Sequence, residues 1–386
     1  MGERAEVIAP NIRRLRQRSG KSQAEIASRC GMSLSAFRRI EAGEVVPRVD
    51  TLQALAEGFE VQLQDLLAPA FQLERVRFRA KKQLKCREQV LTDMSRWLQD
   101  YCGLEDLLDE TQERDSLKKI PVPERPDLLK RAEDAAEHAR KAFGLREGDP
   151  IRDICGLLED KGVKVYSMQV HSDDFFGLSV AEKDTGPAIA VNTWDRISVE
   201  RWIFSAAHEL GHLILHLSAF KSEETEENEN EELQANHFAS CFLMPRRAFE
   251  KEWSETYGLP FIERVYKVKH IFRVSYKTVL YRLDQMDSRG TNYWPKFYAA
   301  YQRMNGTKLA KHAEPASVPE SAYMKSMPAS RRPEEPENIQ HGFVQDRLYR
   351  LVRKAIEDGK ITRSRAAEIL RKTLDEFHDL QAAWVE

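Results

Sequence analysis

Apolar positions recur at helical spacing over most of the chain and at strand spacing over one short stretch. From about Ile8 to Ala68 they lie three and four residues apart, in short runs separated by brief polar breaks. That spacing predicts a cluster of short amphipathic helices. Between Phe71 and Thr111 the pattern becomes charged and helical, with Arg and Lys dense from Arg75 to Arg87. Pro121, Pro123 and Pro126 interrupt it. An Ala-rich helix is predicted from Asp127 to Phe143, ended by Gly144, and another from Pro150 to Asp160, stopped by Gly162. Three β-rich runs follow, Val163–Met168, Phe175–Val180 and Ala188–Asn192, separated by Asp, Gly and Pro signals. A long apolar helix is predicted near Glu200–His216. An acidic stretch from Glu223 to Glu232 comes next, then a helix to Leu243 that Pro245 stops. Helices continue to about Asp287. Asn305–Asn338, rich in Pro, Ser, Lys and Glu, reads as a linker. A pair of helices fills Phe343–Trp384.

These elements predict a mainly α fold with a small β-sheet, of the α+β class. They divide into a helical domain over 8–68, a helical connector over 69–120, a compact domain over 121–290, a linker over 291–340 and a helical tail over 341–386. The 386-residue length agrees with two or three domains at roughly 100–200 residues each. With 60 Lys+Arg against 62 Asp+Glu, any basic face must be local. The five Cys, at 30, 86, 102, 155 and 241, are scattered and form no Cys-x-x-Cys pair. That argues against a disulfide framework and a thiolate zinc site. No basic segment precedes an apolar run at the N-terminus, and no run approaches 18 apolar residues. The expectation is a cytoplasmic protein without signal peptide or membrane span.

The sharpest chemistry is His208-Glu209-Leu210-Gly211-His212. Residues four apart share one face of a helix, so His208 and His212 can hold one metal ion together. Glu209 sits beside them, placed to accept a proton from an attacking water. Phe204, Ala206, Ala207, Leu210, Leu213, Ile214 and Leu215 make the helix apolar on nearly every side, so it is buried. Gly211 lets a second element approach closely. A catalytic zinc site usually takes three protein ligands, and Glu232 on the next helix supplies the third. Asn236, one turn on, faces the same way and is placed to orient an imidazole. Glu231 is the rival ligand, about 100° around the helix from the face of Asn236. Ala235 and Ala239 allow tight packing. His216 and His237 read as surface or packing residues.

In the N-terminal domain, Ser22 caps a first short helix with Glu25 completing a capping box, Gly31 supplies a turn, and Ser33 caps a second helix. Phe37 and Ile40 face the core. Ser35, Ala36 and Arg39 point outward toward base edges, Arg38 toward base or backbone, and Ser33 stands at the groove-facing start of the helix. Lys21, Gln23, Arg38 and Arg48 read as phosphate contacts. The pattern alone also suits a helical protein–protein module.

Two resemblances sharpen these readings. Ser22-Gln23-x-x-Ile26-Ala27, Ser33-x-Ser35-x-Phe37, Ile40-Glu41-x-Gly43 and Pro47-x-x-x-Thr51-Leu52 resemble the Xre/λ-repressor-like helix-turn-helix family across Ile8–Leu67. Met32 and Phe37 stand where smaller residues are usual. The run Ala188–Asn192, then Phe204–His216, then Glu232–Pro245 with its closing Leu243-Met244-Pro245, is similar to the ImmA/IrrE zinc metallopeptidases from about Ala132 to Asp287. His237, Ser240 and Cys241 depart from that family's usual residues without touching a ligand.

The resemblances imply a five-helix DNA-binding domain and a gluzincin-like domain with a small sheet above two active-site helices. They imply zinc on His208, His212 and Glu232, and Glu209 as the catalytic acid–base. Tyr166, His171 and Tyr266 are the chemical candidates for the oxyanion donor. The implied partners are a double-stranded DNA operator, bound by a homodimer, and a protein substrate: an Xre-type repressor or this chain itself. The alternatives are a non-hydrolytic sensor and a toxin–antitoxin-like module. Val76–Lys82, with Trp97–Tyr101 and Leu104-Glu105, resembles the connectors of such regulators and reads as a solvated helix face. Ile361–Leu370 reads as a capped packing helix.

Overall fold

A computed structural model describes residues 3–19, 21–59, 61, 63–67, 73, 75–80, 87–172, 174–182, 185–194, 197–220, 228–287, 290–306, 308 and 342–384. The chain divides into two compact units, residues 1–72 with 85–96, and residues 73–84 with 97–386.

The first unit holds α1 (Glu3–Ser19), α2 (Gln23–Arg29), α3 (Leu34–Glu41), α4 (Val49–Phe59) and α5 (Gln64–Leu67). The caps read from sequence are present. The Ser22 side chain accepts from the Glu25 N–H while Glu25 reaches back to the Ser22 N–H, and Ser33 Oγ accepts from the Ala36 N–H. Between them Gly31 takes φ 64°, which closes the turn without steric cost. Ile8, Ile12, Leu15, Ile26, Phe37, Ile40, Leu52 and Leu55 form one buried cluster. Glu41 is buried against it and is held by Arg16 Nε at 2.6 Å.

The second unit is built on a four-stranded sheet. Its strands are β1 (Val76–Ala80), β2 (Lys164–Met168), β3 (Phe175–Glu182) and β4 (Gly186–Asn192), in the order β1-β3-β4-β2. β3 is antiparallel to both β1 and β4, and β2 is parallel to β4. β1 overturns the expectation of a helical connector face: Val76-Arg77-Phe78-Arg79 pairs with β3. Its side chains alternate with period two, a strand signal that the dense positive charge obscured. α6 (Arg87–Leu108) is the helix of that connector.

Against the sheet lie α8 (Ile154–Glu159) and α9 (Val199–Leu215), with α7 (Leu128–Ala142) and α10 (Glu229–Leu243) packed on α9, followed by α11 (Arg246–Glu255), α12 (Phe261–Phe272), α13 (Tyr276–Met286) and α14 (Tyr293–Asn305). α9 starts at a Ser198 cap and buries thirteen of its residues, as its all-round apolar character requires. α10 starts at an Asn228 cap that accepts from the Asn230 and Glu231 N–H groups. Arg131 of α7 ties the two together, donating to Gln234 Oε1 at 2.8 Å and to the Leu215 carbonyl at 3.3 Å.

The tail forms three helices, not a pair: Asp346–Glu357, Arg363–Ile369 and Leu374–Ala383. Thr362 caps the helix read at Ile361–Leu370, and the Thr373 capping box starts the additional one. Buried Arg347 donates to Tyr101 Oη at 3.2 Å and bonds Glu105, while its backbone N–H donates to Glu159 at 3.0 Å. The linker expected over 291–340 begins instead with a helix, α14, while its part from 309 onward, and the acidic run up to 227, lie outside the described residues. No helix among the described residues is long and apolar enough to cross a membrane.

Candidate metal centre

His208 and His212 stand one turn apart on α9, fully buried, with their Nε2 atoms 2.9 Å from each other. From α10, Glu232 brings Oε2 to 3.3 Å from His208 Nε2 and Oε1 to 3.0 Å from His212 Nε2. Among the described residues this is the one group of three such donors, all within 4.8 Å of one another. Close helix packing makes the convergence possible. A Cβ on Gly211 would lie 3.0 Å from a ring carbon of Phe238 on α10. Ala235 and Ala239 are also fully buried.

Each imidazole is oriented from behind. His208 Nδ1 lies 3.0 Å from Asn236 Oδ1, the pairing that one helical turn beyond Glu232 predicts. His212 Nδ1 lies 3.0 Å from His216 Nδ1. Of the two readings given for His216, surface or packing, the structure shows the second: it is buried against the ring of His212. The i, i+4, i+8 stripe of His208, His212 and His216 on a buried helix was the available signal. His237 is buried too, between Gln285 Nε2 at 2.8 Å and Cys241 Sγ at 3.5 Å. Burial lowers the His237 pKa to about 4 and raises the Cys241 thiol to about 11. The pair is therefore a neutral packing contact and not a nucleophile.

Glu209 is fully buried and points up to the sheet, where Ser179 Oγ of β3 donates to its Oε2 at 2.7 Å. Gly177, two residues earlier on the same face, leaves room for it. A Cβ there would lie 3.4 Å from Glu209 Oε1 and 2.9 Å from the Ala190 carbonyl. Ser179 was missed from sequence, although a polar residue buried in an apolar strand calls for a partner. β3 is anchored at its start by Asn192, whose Nδ2 donates to the Val170 and Phe175 carbonyls.

The protonation states suit a cation. Burial drives His212 and His216 down to about 3, so both rings are neutral. Burial by itself raises Glu232, but hydrogen bonding from His208 and His212 overrides it and holds the carboxyl well below the ordinary range. Two imidazoles and one carboxylate are the donor set of a borderline divalent ion such as zinc. A tetrahedral ion with bonds of about 2.0 Å separates its donors by roughly 3.3 Å, close to the three spacings observed. The residues fit the ion.

Glu231, the rival ligand, turns away from this cluster to a basic partner on β1: it pairs with Arg77, whose other nitrogen lies 3.4 Å from Glu232 Oε1. The three oxyanion candidates sit in aromatic packing. Tyr166 stacks on Trp97 at 4.7 Å, His171 lies 5.4 Å from Trp194, and Tyr266 meets Phe297 edge-on.

On the first unit, Ser33, Ser35, Ala36, Arg38, Arg39 and Arg48 are exposed, and Lys21 and Gln23 half-buried. Gln23 bridges inward and outward: its Nε2 donates to Glu41, and its Oε1 accepts from Arg38 Nε at 3.1 Å. This fixes Arg38 at the mouth of the helix pair.

Fold and sites together define a two-part protein, a DNA-binding helix-turn-helix joined to a peptidase-like domain of the two-histidine, one-glutamate type. Residues 10–70 match the family model described as a helix-turn-helix domain, and residues 158–284 match the one described as an IrrE N-terminal-like domain. The chain thus carries a helix-turn-helix segment followed by an IrrE-like, peptidase-like segment. No curated protein matches it.

Proposed function

We propose that this protein is a cytoplasmic DNA-binding regulator whose second domain is a zinc endopeptidase. Its substrate is an Xre-type repressor or the chain itself. The observation that carries this reading is the cluster of His208, His212 and Glu232 with Glu209 buried beside it.

His208, His212 and Glu232 hold the ion, which when bound supplies Lewis acidity toward a peptide carbonyl and toward water. Glu209 takes the proton of the attacking water and passes it to the leaving amine. Ser179 holds the Glu209 carboxylate in place through the 2.7 Å hydrogen bond. Asn236 and His216 fix the two imidazoles, so little reorganisation accompanies reaction. On the DNA side, Ser35, Ala36 and Arg39 meet base edges, with Ser33 at the start of their helix. Lys21, Gln23, Arg38 and Arg48 meet the backbone, and a homodimer matches a palindromic operator.

The test adds zinc-loaded protein, or its Glu209→Gln variant, to a candidate repressor and resolves the products on a gel. Fragments from the wild type alone are expected. Fragments from both proteins, or from neither, count against hydrolysis by Glu209.

A further inference from the structure

The outer edge of β3 is covered by β1, a five-residue strand. The pairing is antiparallel, with Arg77 opposite Ser179 and Arg79 opposite Gly177. Ser179 is the residue that holds Glu209. Directly opposite residues of an antiparallel pair project to the same face, so Arg77 is aimed at the face that carries the metal cluster. Its guanidinium arrives there. One nitrogen bonds Glu231 and another lies 3.4 Å from Glu232 Oε1, with the Arg77 side chain only 13% exposed.

A peptide acted on by Glu209 has to run past this point in extended form, and a sheet edge captures such a peptide through backbone hydrogen bonds. β1 has that conformation, that edge and that register. We propose that β1 is an intramolecular occupant of the strand position that a substrate takes, and that this position selects an extended peptide with a basic residue opposite Ser179, read by Glu231. Glu232 is committed to the two imidazoles, which leaves Glu231 as the reader. The proposal rests on the peptidase reading for what happens to a captured strand, whereas capture itself needs no hydrolysis. β1 and another chain compete for this edge, so a substrate binds by displacing β1.

The test follows amide exchange at residues 76–80 and the anisotropy of a labelled Arg-Val-Arg-Phe-Arg-Ala peptide, the sequence of residues 75–80. Both are read in the full-length wild type, in Arg77→Glu and in Arg77→Glu/Glu231→Arg. Arg77→Glu is expected to speed exchange at these amides at least tenfold and to bind the peptide at least tenfold more tightly than wild type. The double variant is expected to restore slow exchange and lose the peptide. A second variant covers the case in which Arg77→Glu does not fold. Val76 and Val180 are register partners on the opposite face, suited to a Val76→Cys/Val180→Cys crosslink. Reduced, excess peptide should displace β1 and speed its exchange; oxidised, it should do neither. Equal peptide binding by wild type and Arg77→Glu, equal binding by the oxidised and reduced pair, or slow exchange at 76–80 in a folded Arg77→Glu overturns the proposal and makes β1 a fixed strand. None of these readouts uses hydrolysis, so a protein that passes them yet cleaves no peptide defeats only the peptidase reading.

Discussion

His216 shows how a single side chain acquires a role through its neighbour. Its ring is buried, neutral, and 3.0 Å from His212 Nδ1, so it sets the direction of the Nε2 that faces Glu232. Groups that orient a ligand in this way are worth about 10- to 100-fold in metal affinity. His216→Ala is therefore expected to lower zinc affinity by that factor in a chelator competition, with the fold kept. Affinity equal to wild type would reduce His216 to packing. The same competition should leave Glu209→Gln close to wild type, because Glu209 meets Ser179 and not the donor cluster. The paired histidines were legible because i, i+4 spacing fixes them on one face whatever the rest of the fold does. Ser179 and His216 were not, because each matters only through a partner 30 residues away or on a ring whose direction tertiary packing sets.

At the scale of elements, the metal site depends on how closely α9 and α10 approach. Gly211 is the contact point, with Phe238 ring carbons at 3.0 to 3.3 Å from where a Cβ would stand. A branched side chain there must push the helices apart. Gly211→Val is expected to destabilise the protein by about 1–3 kcal/mol, as overpacking does. Urea unfolding measures this, and an unchanged midpoint would mean the helices already have slack. In the first unit, Ser33→Ala removes the hydroxyl that accepts from the Ala36 N–H, at a cost of about 1 kcal/mol. Helix caps and three of the four strands were readable because local chemistry writes them. β1 was not: it is a strand because β3 offers it an open edge, and its charge pattern suits a solvated helix equally well.

For the whole molecule, the buried polar network under the tail makes stability depend on pH. Burial raises the Glu159 carboxyl to about 7 from 4.5, although the Arg347 N–H bonded to it pulls the other way. Between those values the folded chain keeps a proton that the unfolded chain has released. Glu159 therefore withdraws stability as the pH rises from about 4.5 to 7, and the loss levels off above. Glu159→Gln should match wild type near pH 4 and exceed it by on the order of 3 kcal/mol at pH 8. Denaturant titrations at the two pH values check this, and a pH-independent difference would rule it out. A second prediction separates the two activities. Arg38→Ala with Arg39→Ala should weaken operator binding roughly 10- to 100-fold while leaving zinc content unchanged. Gel shifts and metal analysis on one preparation read both.

The amino-acid sequence by itself determined what short-range geometry controls: the helix-turn-helix caps and turn, the paired histidines with their glutamate, the apolar character of α9, and the strands β2, β3 and β4. Tertiary structure decided what depends on contacts between distant segments. It brought the hydroxyl of residue 179 over the Glu209 carboxylate, turned His216 toward His212, and laid residues 76–80 along β3 with Arg77 on Glu231. Spacing within one helix is a property of the backbone and survives in any context. Which edge a strand finds, and which buried polar group it satisfies, exists only once the chain has closed on itself.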